Sequence, residues 1–251
     1  MALVATFNIR HGAPAEAGPR LGDTAAACLG LGVDLLALQE VERRCTRSRG
    51  WDQGAVVARR CGLHAWFAPA VPNRWGGGYG QALLSGEPLA ARQVLELPTA
   101  GGERRVALLA SARLDAVAVS VAATHLAAER GALELQLPAL LEQLLRRPGP
   151  HLLLGDLNAD DARVRPILAT AGFEVAETGP TFPATSPRRR IDWVAARGLS
   201  VGPARVPAAE VSDHRPVVAR VGESSCCRPQ GPFVPSPTEG TRERCEEPPP
   251  R

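Results

Sequence analysis

Acidic, amide and imidazole side chains recur in this sequence where apolar, strand-like runs end. Loops at one edge of a sheet form a concave site in this way when they carry the chemistry of a protein. Six strand ends carry such groups: Asn8 with Arg10, Gln39 with Glu40, Thr124 with His125, Asp156 with Asn158, Asp192, and Asp213 with His214. The pattern predicts one active site built from strand ends.

Three of these residues predict a metal site. The carboxylates of Glu40 and Asp213 and the amide oxygen of Asn8 are hard ligands, which suit Mg²⁺ or Mn²⁺. Mg²⁺ keeps several waters, so one or two carboxylates are enough to hold it. The sequence shows no cluster of thiols or histidines that would select zinc.

The remaining strand ends fit hydrolysis of a phosphate ester. Asp156 and Asn158 face the same side of an extended strand, so one can orient a water while the other holds a phosphate oxygen. If Asp192 pairs with His214, it keeps the imidazole protonated, and that positive charge stabilises a pentacovalent phosphate. Together with a divalent cation, this set predicts metal-assisted phosphoester hydrolysis.

Each of these residues also has a structural interpretation that involves no chemistry. The alternatives are a turn at 211–218, a solvated strand end at Glu40, a hydrogen-bonded core histidine at His125, an Asx turn at 155–158, and a salt bridge from Asp192 to one of Arg188, Arg189 and Arg190. The joint occurrence of all the polar strand ends favours a functional site.

Composition predicts a globular protein without a dominant charge. Of 251 residues, 45% are hydrophobic and 22% are charged. The net charge of +3 is too small to indicate a nucleic-acid partner. All 29 basic residues are Arg. The six cysteines form no CxxC pair, and we interpret them as free thiols. Because no signal peptide or membrane span is visible, we expect a cytoplasmic protein. The sequence indicates no obligate protein partner.

Apolar periodicity predicts many strands in hairpin-like succession with a few inserted helices. Strands are predicted at 3–9, 33–41, 63–69, 79–85, 106–114, 117–126, 151–158, 191–196 and 216–221. Helices are predicted at 20–32, 52–61, 131–147 and 163–171, with Pro138 kinking the third or setting its start. This order favours an α/β (α+β) sandwich of two packed, mostly antiparallel sheets with helices outside.

The chain divides into one folded domain and a tail. We place the domain at 1–221, and residues 222–251 are predicted to be disordered because they are rich in Pro, Ser, Gly and charge. Within the domain, 3–10 and 151–158 each run an apolar strand into an Asn-containing polar end. An internal two-fold would bring both polar ends to one rim.

Seven motifs, in this order, closely resemble those of the endonuclease/exonuclease/phosphatase superfamily, whose fold deoxyribonuclease I shares. They are TFNIRHG, LLALQEVE, YGQALLS, ATHLAAE, LLLGDLNA, RIDWV and VSDHRPVV, and the resemblance covers about residues 2–221. It implies a four-layer sandwich, in which two central sheets are flanked by helices and the active site lies at one edge.

The resemblance also implies roles for individual residues. Glu40 matches the principal metal ligand, with Asn8 and Asp213 assisting. The other implied roles are water activation and phosphate binding at Asp156 and Asn158, catalysis by His214 oriented by Asp192, and phosphate contact at Arg10 and His125.

Two departures from the family pattern bear on the substrate. Gln81 stands where many relatives have Asn, which adds a methylene to a side chain expected near the substrate. The segment 123–129 lacks the Tyr and the Pro-Asn of AP endonucleases and is more similar to deoxyribonuclease I, sphingomyelinases and bacterial hydrolases. This disfavours repair of AP sites.

We therefore predict a divalent-metal-dependent phosphodiesterase or nuclease. Its substrate is a phosphoester, and the sequence leaves open whether that phosphoester is a nucleic acid. The alternatives are a phosphomonoesterase, a lipid phosphodiesterase, or an inactive binding scaffold. Two surface segments each have two interpretations. The glycine-rich segment 73–80 is either a mobile flap over the substrate or a flexible hairpin without a functional role. The three arginines at 188–190 either contact an anionic substrate or form a solvated loop.

Overall fold

A computed structural model of the chain describes residues 1–13, 18, 20–99 and 102–223. The predicted tail at 222–251 lies outside the described residues from 224 onward, as do Cys226, Cys227 and Cys245. The other three cysteines, Cys28, Cys45 and Cys61, are free thiols. None of the helices in the described part of the chain is long and apolar enough to cross a bilayer.

The described residues form strands and helices in mixed order. The strands are β1 (Ala2–Asn8), β2 (Leu35–Arg43), β3 (His64–Pro72), β4 (Gly78–Ser85), β5 (Ala90–Glu96), β6 (Val106–Leu114), β7 (Val117–His125), β8 (His151–Asp156), β9 (Glu174–Val175), β10 (Asp192–Arg197), β11 (Ser200–Arg205) and β12 (Val217–Gly222). The helices are α1 (Leu21–Leu31), α2 (Gln53–Cys61), α3 (Ala132–Leu145) and α4 (Asp161–Thr170), with a 3-10 turn at Arg10–Gly12.

Two six-stranded sheets stack between helices, which confirms the predicted sandwich. The first sheet has the order β11-β12-β1-β2-β4-β3 and the second the order β5-β6-β7-β8-β10-β9. The pairs β1–β2 and β7–β8 are parallel, and the remaining pairs are antiparallel. Helices α1 and α2 cover the first sheet, and α3 and α4 cover the second.

The two sheets repeat one another under an internal two-fold relation. When the first order is reversed, β2, β1 and β12 correspond to β7, β8 and β10, and each corresponding pair of neighbours has the same parallel or antiparallel sense. Strands β1 and β8 occupy equivalent central positions. Their polar ends meet, because the Asn8 amide donates a hydrogen bond to Asp156 at 3.0 Å.

Strands at the centre of both sheets are apolar on both faces because each sheet is covered on both sides. In β2, Leu35 points between the sheets and Leu36 points toward α1 and α2, as the two-residue period of a strand requires. In β8, Leu154 faces the first sheet and Leu153 faces α3 and α4. The double burial fixes the register of the strands that end at the site.

Differences from the predicted elements fall at the sheet edges. Strands β5, β9 and β11 were not predicted, because β5 is almost wholly exposed and β9 has only 2 residues, so neither carries a strong apolar period. Pro138 lies inside α3, which begins at Ala132, so Pro138 does not set the start of that helix.

Gly155 allows β7 and β8 to approach each other directly beside Asp156. A Cβ at this position would lie 2.4 Å from the Thr124 carbonyl oxygen. We expect Gly155→Ala to lower the free energy of unfolding by about 1–3 kcal/mol, as overpacking does. Denaturant unfolding checks this value.

Gly30→Ala is the matched control, because a Cβ at Gly30 in α1 meets no atom within 4 Å. It should raise stability by about 0.5–1 kcal/mol, since Ala favours an exposed helix position over Gly. Equal effects of the two substitutions would show that the strand contact does not limit the size of residue 155.

Candidate active site

The polar strand ends meet at one edge because the parallel pairs of strands end together. Asn8, the last residue of β1, registers with Gln39 inside β2, where the pairing of these two strands ends, and His125 registers with Asp156 at the ends of β7 and β8. Asp192, the first residue of antiparallel β10, pairs with Asp156. The edge therefore collects side chains from both halves of the sandwich.

Asp156 lies at the centre of this cluster and is 1% exposed. Its Oδ2 accepts a hydrogen bond from Asn8 Nδ2 at 3.0 Å and lies 3.5 Å from His125 Nε2 and 3.7 Å from His214 Nε2. Its Oδ1 accepts the backbone N–H of Asn158 at 2.9 Å. The Asx turn considered from the sequence is thus present, and it holds the carboxylate between two imidazoles.

His214 forms the predicted pair with Asp192. Its Nδ1 lies 3.0 Å from Asp192 Oδ2, and that same oxygen accepts a hydrogen bond from the Thr181 hydroxyl at 2.6 Å. Burial alone lowers the pKa of His214, but the charge and hydrogen bond of Asp192, aided by Asp156 and Asp213, outweigh it and raise the pKa to about 9. The imidazole is therefore a cation at neutral pH.

His125 is the second imidazole on Asp156, and its environment has the opposite effect. Burial is the largest effect and lowers the pKa of His125, the Asp156 charge raises it, and the Arg105 guanidinium lowers it. The net result is a pKa of about 4. Its Nδ1 lies 3.3 Å from Arg105 Nη1, and its Nε2 lies 3.1 Å from Asn158 Nδ2. At neutral pH His125 is thus neutral, and its contact with Asp156 is not an ion pair.

Glu40 reaches the site from a bulge in β2. The register between β2 and β4 shifts between Leu38 and Val41, and Glu40 has a φ of 55°, a left-handed conformation that a residue with a Cβ rarely adopts. A bulge turns a side chain out of the regular alternation of a strand. Glu40 therefore leaves the sheet toward Asn8, whose amide donates to Glu40 Oε1 at 3.0 Å.

Electrostatics around Glu40 favour a bound cation. Burial raises the pKa of Glu40 and the Asn8 hydrogen bond lowers it, while the charges of Asp213 and Asp156 raise it and the charge of His214 lowers it. Several carboxylates thus repel one another at one place, and a positive ion would relieve this repulsion. The side chains of Glu40 and Asp213 remain 22% and 26% exposed, so both can be reached from solvent.

The chain after Asn8 is tied to the segment before β12. Ser212 Oγ donates to the Asn8 carbonyl oxygen at 2.7 Å, and Arg10 Nε lies 3.3 Å from Asp213 Oδ2. The Asn8 amide oxygen accepts the Arg10 N–H at 3.0 Å, so its Nδ2 group faces the carboxylates. These contacts hold Asp213 beside the end of β1, at the rim of the site.

Gln81 in β4 is buried, and its amide nitrogen donates to the Val106 carbonyl oxygen of the other sheet. The same carbonyl accepts the Thr124 hydroxyl at 3.4 Å, one residue before His125. Within the described part of the chain, the Gln81 amide oxygen has no hydrogen-bond partner. Contact between Gln81 and a substrate stays a prediction.

Three side chains that support the site were not predicted. Thr181 and Arg105 contact Asp192 and His125, and Phe182 stacks obliquely on His214 with ring centroids 4.9 Å apart. They lie in loops or at a strand start, and no local pattern marks them. Only the tertiary contact identifies them.

The sequence offered the three arginines at 188–190 as partners of Asp192, as substrate contacts or as a solvated loop, and the structure separates them. Arg190 is buried, pairs with Asp161 at 3.0 Å and lies over the Trp193 ring, so Asp192 does not form a salt bridge with it. Arg188 and Arg189 are exposed, as a solvated loop predicts.

Among the described residues, ligand atoms of Asp156, Asp192 and His214 lie within 4.8 Å of one another, a spacing that a metal ion could use. A metal needs the lone pair of a neutral imidazole. Because His214 Nδ1 contacts Asp192 Oδ2 at 3.0 Å, only its Nε2 lone pair would be left for a metal ion.

Two stacked sheets thus carry a buried cluster of carboxylates and imidazoles at one edge. The family model described as "Endonuclease/Exonuclease/phosphatase family" matches residues 5–214. The chain belongs to this family. A search of curated protein sequences gave no match.

Solved structures share the fold. An endonuclease/exonuclease/phosphatase from Beutenbergia cavernae has a TM-score of 0.73 and 24% identity, and the match covers 88% of this chain and 71% of that one. A mannosyl-6-phosphatase from Bacteroides thetaiotaomicron has a TM-score of 0.74 and 13% identity, covering 88% and 99%. TDP2 from Caenorhabditis elegans has a TM-score of 0.67 and 18% identity, covering 89% and 74%.

The raised pKa of His214 can be tested directly. In metal-free protein, imidazole NMR should show His214 protonated until the pH approaches about 9, and Asp192→Asn should lower that pKa because the neighbouring charge is removed. Since the folded pKa lies above the unfolded value, this interaction stabilises the fold fully below about pH 6.5 and is lost as pH rises through about 9. An unchanged His214 pKa in Asp192→Asn would contradict the pairing.

Proposed function

We propose that the protein is a divalent-metal-dependent phosphodiesterase that acts on nucleic acid. The single observation that carries this proposal is the buried Asp156 carboxylate, held between the His214 cation and the neutral His125. A carboxylate that can take a proton beside a cation that can offset charge is the arrangement that hydrolysis of a phosphate ester requires.

The metal is assigned to Glu40 and Asp213, with Asn8 beside them. Their oxygens are the ligands that Mg²⁺ and Mn²⁺ prefer, and the repulsion around Glu40 supports a cation at this place. Asn8 orients Glu40 through its Nδ2 group, and ligation by its amide oxygen would require release of the Arg10 N–H. When bound, the ion polarises a phosphoryl oxygen and neutralises developing charge.

The protein's own residues supply the remaining steps. Asp156 orients the attacking water and accepts its proton, while the turn at Asn158 and the Asn8 amide hold the carboxylate in place. His214, kept charged by Asp192, offsets the negative charge that grows on the phosphoryl oxygens. Asn158 and His125 line the same cleft and hold the phosphate with Arg10.

Partial exposure of the residues at the rim of the site supports a diester within a longer chain. The side chains of Arg10, Asp213 and Glu40 keep 32%, 26% and 22% of their surface exposed. A phosphate with substituents on both sides can lie across such an edge. A phosphomonoesterase is the second candidate, because the similar mannosyl-6-phosphatase is named for a monoester substrate.

Asp156→Asn should lower turnover of an aryl phosphodiester by at least about a hundredfold, because the amide cannot accept the proton. Hydrolysis is measured with Mg²⁺, beside the matching aryl monoester. Asp160→Asn, an exposed carboxylate at the start of α4, is the control and should retain activity. Near-normal turnover by Asp156→Asn would refute the assigned role, and preference for the monoester would favour the second candidate.

Chelation should abolish hydrolysis, and Mg²⁺ or Mn²⁺ should restore it. Glu40→Gln should raise the half-saturating Mg²⁺ concentration at least about tenfold, since it removes a charged ligand. Glu142→Gln, on the exposed face of α3, is the matched control. Calorimetric titration of the metal provides a readout independent of turnover, and equal affinity in Glu40→Gln would place the metal elsewhere.

A further inference from the structure

Two of the four tryptophans lie exposed beside arginines at one end of the first sheet. Trp51 is 53% exposed and Trp75 49% exposed, whereas Trp193 is fully buried. The side chains of Arg44 and Arg74 are exposed next to them. We call the surface formed by Arg44, Trp51, Arg74 and Trp75 the indole–arginine ridge.

Backbone contacts hold the ridge together. The Arg44 N–H donates to the Trp51 carbonyl oxygen at 3.1 Å, and Arg44 Nη1 donates to the Trp75 carbonyl oxygen at 3.0 Å. Arg74 lies over the Trp75 ring, 4.7 Å from its centroid. Arg44 thus connects the backbones of the two loops that carry the indoles.

Asn73 anchors the second loop of the ridge to the first. Its Oδ1 accepts the N–H groups of Trp75 and Gly77, both at 3.0 Å, and its Nδ2 donates to the Arg44 carbonyl oxygen at 2.9 Å. A Cβ on Gly77 would lie 2.0 Å from the Arg43 carbonyl oxygen, so this glycine permits the close approach. The segment 73–80 is therefore a docked hairpin in this structure and not an open flap.

The ridge carries an excess of positive charge. The acidic residues of its first loop are already paired, because Glu42 binds Arg47 and Asp52 binds Arg43 at 3.1 Å. Arg44, Arg49 and Arg74 are all exposed and add charge that these acids do not balance. Aromatic surface beside arginine is the combination that proteins use to bind single-stranded nucleic acid.

The ridge lies close to the reacting centre along β2. Arg44 follows Glu40 by four positions along the chain, which corresponds to roughly 13 Å or less along a strand. Arg43, the last residue of β2, pairs with Gly78 at the base of the hairpin that carries Trp75. A polynucleotide with its cleaved phosphate at the site reaches the ridge within a few nucleotides.

We propose that the indole–arginine ridge binds a single-stranded segment of the nucleic-acid substrate. Bases stack on Trp51 and Trp75, and the phosphates lie against Arg44 and Arg74. A duplex hides the faces of its bases, so the ridge favours unpaired strands. The inference rests on the proposed function, since it names the form of nucleic acid that the same site receives.

Binding is measured on Asp156→Asn in chelator, so that the result does not depend on turnover. The probe is a fluorescein-labelled single-stranded oligothymidylate, read by anisotropy at several salt concentrations, with a blunt DNA duplex of equal length beside it. Adding Trp51→Ala or Trp75→Ala should each weaken single-strand binding about tenfold. Adding Arg44→Ala should also flatten the salt dependence.

Matched control substitutions lie far from the ridge. Val94→Ala removes a similarly exposed apolar side chain on β5, and Arg146→Ala removes an exposed arginine on α3. Both should leave binding unchanged. Trp75→Phe keeps an aromatic face and should retain most of the affinity lost in Trp75→Ala, while thermal unfolding confirms that each variant is folded.

The outcomes separate the two proposals. Single-strand binding that depends on both indoles supports the ridge, whatever the wild type does to an aryl diester. Binding that is unchanged by the ridge substitutions, or that is equally strong for duplex, overturns it. Failure of the wild type to hydrolyse any phosphodiester refutes the proposed function instead. The aryl diester tests that function independently of the ridge, because it has no bases that could stack on the indoles.

Discussion

The burial of the Asp156 carboxylate is the constraint on which the rest of the site depends. A charge that is 1% exposed is tolerated only when hydrogen bonds and opposite charge replace water. These come from the Asn8 amide of the first sheet, the Asn158 N–H of its own turn, and the His214 cation. Because the partners belong to distant segments, the two sheets must meet at this edge before the carboxylate can be buried. The hydrogen bond between Asn8 and Asp156 joins the equivalent central strands of the two halves.

Two histidines on one carboxylate acquire opposite character from their surroundings. His214 has Asp192 on its other nitrogen and is held as a cation, with a pKa of about 9. His125 has the Arg105 guanidinium there, and burial holds it neutral, with a pKa of about 4. Environments that separate the pKa values of neighbouring groups divide their roles in acid–base chemistry. The Asp192 carboxylate thus keeps His214 charged, whereas burial is the main reason why His125 stays neutral.

Strand β2 connects the chemistry with the surface around it. Its bulge directs Glu40 into the site, and its last residues lead directly into the loop that carries Arg44 and Trp51. The hydrolytic groups lie on rigid strand ends, whereas the exposed indoles lie on loops and hairpin tips. In folds that support many activities, substrate choice resides in such loops. A change in the ridge therefore leaves the strands that bury Asp156 intact.

The sequence by itself determined the sandwich, most central strands, all four helices and the acidic, amide and histidine side chains at the centre of the site, because doubly buried strands and the family motifs leave strong local patterns. It did not determine the exposed edge strands, which lack an apolar period. Only the tertiary structure decided that Asp192 pairs with His214 and not with an arginine, that Arg105 faces His125, and that Trp51 and Trp75 share one surface. The reason is physical: a residue type fixes what a side chain can do, but its charge state and partners depend on neighbours that are distant along the chain.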